Sequence, residues 1–385
     1  MTTQSQAVEE LAIVRREHTG RRIETEEALA ALPAESQAAL RQFSLERTMG
    51  YGVDYSDAVE LRARVLGGQR WQEAATELAG TCLRRADDAG PAPRPTRIAY
   101  LRRSSALLRI SQIMMLADTD ERRTIFGDAA EQYARAAELS GDRERVTIET
   151  PGGPLAGWLL ASDGPAVGSA VVVGGVEGWA MDFDSVGEAL AARGIDALML
   201  DGPGQGETRL THRHYLTPRW LDAFRRAIDF LDAHAPGLPI GVIGNSMGGS
   251  FAMAVAASDT RIRACVDNGG APAPSAVPPA GTFFTKMLTY AGTDETEQGL
   301  ACWRTVTPLA AGPNAGYPLL VVHGGKDPLV SDEMALTMLR DAPTADKKMV
   351  VFSDGDHCIY NHKRDRDVLI ADWLRLRLAE AKESM

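Results

Sequence analysis

The chain has 385 residues, 44% of them apolar and 24% charged, with 41 Lys and Arg against 52 Asp and Glu for a net charge of −11. That balance fits a globular protein with ample core, and it excludes a general nucleic-acid binder or a protein docked on anionic membranes, both of which need a basic surface. No apolar run reaches the roughly 18 residues of a membrane span, and the opening Met1-Thr-Thr-Gln-Ser-Gln6 has neither a basic start nor an apolar stretch, so no secretory signal is expected.

From Ala7 to about Leu139 the chain is rich in the strong helix formers Ala, Leu, Glu, Arg and Gln. Leu101, Ala106, Leu107, Ile110, Ile113 and Met114 recur at the spacing of one helix face. Breaks fall at Gly50–Asp54, Gly67–Gly68 and Gly90–Pro95. Residues 1–144 therefore read as a helical domain of five or six helices without strands, including helices over 97–117 and 122–139. No fixed period supports a repeat array.

After Gly141 short β-rich runs alternate with helical segments. The expected strands are Arg145–Thr150, Leu155–Leu160, Ala170–Val173, Asp196–Leu200, Ile240–Ile243, Ala264–Asp267, Leu319–Val322 and Lys348–Phe352. Helices are expected over Phe183–Arg193, Pro218–His234, Met247–Ala257, Asp332–Asp341 and Val368–Lys382. The alternation predicts an α/β domain over 145–385: an eight-stranded, mostly parallel sheet covered on both faces, its first two strands forming an antiparallel edge.

The strongest chemical signal is Gly244-Asn-Ser-Met-Gly248, which follows an apolar strand and opens a helix of small residues. A strand-to-helix elbow with glycines on both sides lets Ser246 take a strained backbone conformation and project its hydroxyl. The competing reading is a Gly-rich turn with an N-cap serine. A serine hydroxyl needs a base and an orienting acid to become nucleophilic. His357 follows the last strand in Asp354-Gly-Asp-His-Cys358, and His362 is its local rival. Asp327 ends the penultimate strand and is the expected acid; an Asx turn before Pro328 is its bland reading. Asp354 and Asp356 stand too close to His357 in sequence to hold its ring easily. His323 reads as structural.

The loop Gly174-Gly-Val-Glu-Gly178 leaves the third strand. With a nucleophile on such an elbow, that loop and the residue after the serine supply the oxyanion amides, so the N–H groups of Val176 and Met247 are the candidates. Glu177 beside them reads as a substrate hydrogen-bond acceptor or proton donor, or as a solvated outward-pointing carboxylate. Asp201-Gly-Pro-Gly-Gln-Gly-Glu207 does not match a dinucleotide fingerprint and reads as a tight structural loop, running as loop to Thr217. His212-x-His214 is isolated, no cluster has metal-ligand spacing, and no cofactor is expected. Cys82, Cys265, Cys302 and Cys358 lack CxxC spacing, which fits a reducing, cytoplasmic setting.

These strings resemble one branch of the α/β-hydrolases, that of the FrsA-like and 2,6-dihydroxypseudooxynicotine hydrolase-like C–C bond hydrolases. Gly174–Gly178, Asp201–Glu207, Gly244–Gly249 and Asp354–Cys358 carry the resemblance, and Tyr51-Gly-Val-Asp-Tyr-Ser-Asp57 resembles a segment of the branch's helical cap. It implies an α/β-hydrolase core with an N-terminal cap over the active site, Ser246 as nucleophile, Asp327 as acid, His357 as base, an active-site glutamate at Glu177, and a homodimer. Asn245 stands where the C–C bond hydrolase of that branch carries a basic residue, so its substrate is not transferred.

Gly270–Gly316 is too long for a simple connection and contains Phe283, Phe284, Met287, Leu288, Tyr290 and Trp303. It reads as a lid lining an apolar pocket for a small-molecule substrate, or as packing against the N-terminal helices. The expected activity is serine-dependent cleavage of a C–C bond in a β-diketone-like or polyketide-like compound. A carboxylesterase with the same residues, and a non-hydrolytic cyclase or dehydratase reusing the pocket, are the alternatives.

Overall fold

The computed structural model describes residues 18–88 and 94–384. Seven helices come first: α1 (Glu26–Ala30), α2 (Ala34–Gln42), α3 (Leu45–Gly50), α4 (Tyr55–Leu66), α5 (Trp71–Asp87), α6 (Arg94–Ser111) and α7 (Asp120–Ser140). The number exceeds the five or six expected because Pro33 and Ser44 divide the first stretch into short pieces, Ser44 capping α3 by accepting from Arg47 N–H. Thr119 caps α7 in the same way, and Gly141 ends it in the left-handed region at φ 65°. The expected helical start at Ala7 and most of the break at 90–95 lie outside the described residues. Phe43, Trp71, Leu78, Leu107 and Ile110 are the centre of the helices' own apolar cluster.

The sheet follows: β1 (Arg143–Ile148), β2 (Leu155–Leu160), β3 (Gly168–Val173), β4 (Ile195–Asp201), β5 (Ile240–Asn245), β6 (Ile262–Asn268), β7 (Leu319–Gly324) and β8 (Lys347–Phe352). Its order is β1-β2-β4-β3-β5-β6-β7-β8. β1 and β2 pair antiparallel, β2 joins β4 antiparallel, and every later pairing is parallel. The inner strands are buried on both faces, as their Val, Ile and Leu runs require. One face is covered by α10 (Trp220–His234), α11 (Met247–Ser258), α12 (Gly281–Tyr290), α13 (Thr296–Trp303) and α14 (Asp332–Arg340). The other face lies under α8 (Asp184–Ala191) and α15 (Lys363–Glu383), joined by the Phe126–Ala137 side of α7. This is an α/β-hydrolase sheet with an added helical layer.

Several elements differ from expectation: α6 ends at Ser111 rather than at 117, β1 lies two residues earlier than Arg145–Thr150, and α12 and α13 fall in the 270–316 stretch. A short helix, α9 (Gly206–Leu210), stands where a loop was expected, because the Asp201 carboxylate accepts from Glu207 N–H at 2.8 Å and stabilises its N-terminus. α15 begins at Lys363, five residues before the expected Val368. Its first turn, Lys-Arg-Asp-Arg-Asp, has no apolar period, but Arg366 and Asp367 pair inside the protein, Nη2 to Oδ1 at 2.6 Å.

Candidate active site

β5 delivers Ser246 to the start of α11 with φ 58° and ψ −132°, a left-handed conformation that costs a non-glycine residue about 1–3 kcal/mol. The elbow is over-determined: Ser246 N–H donates to Asn268 O at 2.8 Å, and Gly249 N–H donates to Ser246 O at 2.7 Å. The strain lifts the side chain out of the sheet, where Oγ lies 2.8 Å from His357 Nε2. The other ring nitrogen, Nδ1, is 2.8 Å from Asp327 Oδ2. Asp327 follows β7, and its Oδ1 accepts from Leu329 and Val330 N–H at 2.8 and 3.0 Å. The Asx-type turn before Pro328 is therefore present together with the contact to His357, one oxygen serving each.

Burial alone would lower the His357 pKa, but the adjoining Cys358 sulfur and the Asp327 carboxylate outweigh it and hold the imidazole above its ordinary 6.5. Burial would raise the Asp327 pKa; the His357 ring and the two backbone N–H groups overcome that and lower it. The rival groups lie elsewhere. His362 pairs with Asp354 at 3.0 Å near the surface, and Asp356 accepts from Tyr360 N–H at 2.6 Å. His323 binds Asp332 at 2.8 Å. His212 and His214 belong to no group of three potential metal ligands among the described residues.

The loop after β3 closes over the serine. A β-carbon on Gly175 would stand 2.7 Å from Ser246 Cβ and 3.0 Å from its Oγ, so only a glycine permits the approach. Among the described residues, the N–H groups of Val176 and Met247 have no acceptor. The loop is held by a residue that sequence reasoning assigned only to a tight turn: Gln205 Nε2 donates to Gly174 O at 2.6 Å and Gly175 O at 2.8 Å, while its Oε1 accepts from Gly202 N–H at 2.7 Å.

Glu177 is buried, at 8% exposure, which excludes the solvated reading. Its oxygens lie 3.5 Å from Arg122 Nη2 on α7 and 3.7 Å from Lys286 Nζ on α12, and neither oxygen has a hydrogen-bond donor. Lys286 also donates to Ile113 O at 2.8 Å, and burial lowers its pKa. A lysine inside the apolar run Phe283–Leu288 was a readable signal; Arg122, one of many arginines on amphipathic helices, gave none.

Two cavities meet at Ser246 and His357. One, of about 280 Å³, is the more polar of the two and includes Arg41, Arg47, Tyr51, Glu177, Asn245, Lys286 and Tyr360 in its wall. The other, of about 320 Å³, is apolar, with Met247, Val277, Phe283, Val330 and Met334 in its wall. Phe283, Pro328 and Leu329 line both. Trp303 does not reach either: it is fully buried, donates Nε1–H to Met287 O at 2.9 Å and packs on Phe251 and Tyr290. Of the 270–316 segment, only its first part reaches the cleft, while Lys286 and Thr289 tie it to the helical layer at Ile113 and Leu116.

Comparison with known proteins follows the same lines. Residues 164–293 match the family described as serine aminopeptidase, S33. The chain is 28% identical over 256 residues to 2,6-dihydropseudooxynicotine hydrolase of Paenarthrobacter nicotinovorans, covering 63% of this chain and 67% of that protein. It is 38% identical over 81 residues to hydrolyase poxO of Penicillium oxalicum, about a fifth of either chain. In structure it resembles 2,6-dihydroxy-pseudo-oxynicotine hydrolase with a TM-score of 0.76 at 24% identity, covering 87% of this chain and 96% of that one. AbyA5 superposes with a TM-score of 0.62 at 17% identity over 80% of this chain and 92% of its own.

Proposed function

We propose that this chain, a member of the α/β-hydrolases, cleaves a C–C bond beside a carbonyl group of a β-diketone-like or polyketide-like compound, with Ser246 as nucleophile, His357 as base and Asp327 as orienting acid. The observation that carries the reading is the unbroken Ser246–His357–Asp327 hydrogen-bond chain at the junction of two cavities. His357 Nε2 takes the Ser246 proton while Oγ attacks the substrate carbonyl. The oxyanion accepts from Val176 and Met247 N–H, each such donor contributing about 3–4 kcal/mol to the transition state. Collapse breaks the C–C bond and expels an enolate, whose carbon takes the proton from His357. Water, deprotonated by His357, then releases the acyl group from Ser246 and returns the enzyme to its starting state.

Glu177 supports C–C rather than ester cleavage. An oxyanion site gains nothing from a carboxylate, but a carboxylate flanked by two cations accepts a hydrogen bond from a substrate enol or hydroxyl and so orients the carbon leaving group. The likeness to 2,6-dihydropseudooxynicotine hydrolase supports the same branch of chemistry. A carboxylesterase would use the same three residues without Glu177.

The test is intact-mass spectrometry after fluorophosphonate treatment, followed by turnover of a β-diketone and an activated ester. A single adduct lost in Ser246→Ala, with diketone cleavage consuming one water per product pair, is the expected result. Turnover that survives Ser246→Ala and adds no water would replace the reading with the cyclase or dehydratase one.

A further inference from the structure

The polar cavity is lined by three cations, Arg41, Arg47 and Lys286, against one carboxylate, Glu177. Two of the cations are already partnered. Lys286 faces Glu177, which Arg122 balances from the other side, and Arg41 pairs with Glu26 at 2.7 Å at the surface. Arg47 is different. Its Nη1 donates to Gln42 O at 3.1 Å, its Nε is buried without an acceptor, and among the described residues it pairs with no carboxylate. The guanidinium instead lies over the rings of Phe43 and Tyr51, 4.8 and 6.0 Å from their centroids.

A half-buried guanidinium without a carboxylate partner is conspicuous in a chain of net charge −11. Lying over the two rings, with Nη1 given to Gln42 O and the Tyr51 hydroxyl beside it, it is a cation of the kind that pairs with a carboxylate. Across Ser246 the second cavity has the opposite chemistry. Its wall holds Val277, Phe283, Val330 and Met334, and His357 is its one titratable side chain among the described residues.

We propose that the substrate is an amphiphilic anion: a carboxylate seated on Arg47 in the polar cavity, the reacting carbonyl at Ser246, and an apolar chain in the cavity beyond Phe283. The assignment rests on the hydrolase reading of Ser246 for its second part only; the binding of the charged head and the chain is independent of turnover. Arg47 is accordingly a specificity residue, supplied by the helical layer rather than by the sheet.

The test is calorimetric binding to Ser246→Ala of octanoate and of octanamide, which share a chain and differ in charge. Octanoate is expected to bind about ten-fold or more tightly than octanamide, with the advantage shrinking as salt screens the guanidinium. In the Ser246→Ala, Arg47→Met double variant the advantage should vanish while octanamide binding stays the same. The comparison of the two ligands requires no change at Arg47, so it stands even if the double variant does not fold. Equal affinity for both ligands overturns the proposal, as does a preference for octanoate that survives Arg47→Met and is lost in Lys286→Met. Failure of Ser246 to react with fluorophosphonate would sink the hydrolase reading and leave this binding result untouched.

Discussion

The α-carbon of Gly50 lies against the ring of Tyr360, so that a β-carbon at position 50 would stand 2.2 Å from Tyr360 Cδ1. Tyr360 stacks on Tyr51 with ring centroids 5.5 Å apart, and Lys363 Nζ donates to Gly50 O at 2.7 Å. α3 thus rests on the turn that carries His357. In that turn Cys358 and Ile359 have φ of 59° and 56°, values that strain a β-branched residue and persist only under external support. Gly50→Ala is expected to displace Tyr360 and the turn with it, lowering kcat on an activated ester about 10- to 100-fold through misplacement of the imidazole. Unchanged kcat in a folded Gly50→Ala protein would show that the turn keeps its shape without α3.

The raised pKa of His357 sets the direction of the pH profile. Only the neutral imidazole accepts the Ser246 proton, and a raised pKa keeps the ring protonated to higher pH. The rising limb of kcat/KM should therefore lie above 6.5. Asp327→Asn removes one of the charges that hold the pKa up, so the limb should move down in pH while kcat falls about 10⁴-fold. A limb below 6.5 in the unmodified enzyme would show that burial outweighs the neighbouring charges at His357.

Glu177→Gln separates the two bond types. Hydrolysis of an activated ester should be nearly unchanged, and β-diketone cleavage should slow by about 10²-fold. The substitution also leaves Arg122 and Lys286 with less counter-charge, so thermal stability should be measured alongside and is expected to fall. Equal loss on both substrates, at a temperature where the variant is folded, would remove Glu177 from the chemistry.

Gln205→Leu tests the support of the oxyanion loop. Gly174 and Gly175 carbonyls would lose their donor and the Val176 amide its placement. A fall in kcat of about 10²-fold or more with little change in KM is the expected pattern, since the loop's N–H acts on the transition state. A rise in KM alone would mean that Gln205 shapes binding instead.

The parts of the site that were legible in the sequence are those written in consecutive residues. Glycines around Ser246, Asp327 at the end of a strand and His357 in the loop after the last strand are each marked by local punctuation, and the strand–helix alternation set their order. Arg47 and Arg122 gave no such mark, because an arginine on a helix looks the same whether it meets solvent or a cavity. Trp303 was misread for a related reason: an aromatic in a long connection carries no information about which side of it faces the cleft. Gln205 lay within a recognised string, yet its role depends on carbonyls about 30 residues earlier that only the sheet order brings near.

Besides Asp118, which holds Arg209 Nη2 at 2.6 Å, two more buried charge pairs cross from the helical layer to the sheet's loops. Arg109 Nε meets Asp182 Oδ1 at 2.8 Å, and Arg122 meets Glu177. Each carboxylate sits in the stretch that leaves β3, and each guanidinium comes from α6 or α7. The helices are therefore no interchangeable attachment. A chimera that set them on another hydrolase sheet would take Asp182 from Arg109 and Glu177 from Arg122, and a sheet fitted with foreign helices would leave Glu177 with Lys286 alone. Diversification of substrate range in this architecture has to proceed by paired change on both sides of the seam, or through positions such as Arg47 that carry no partner across it.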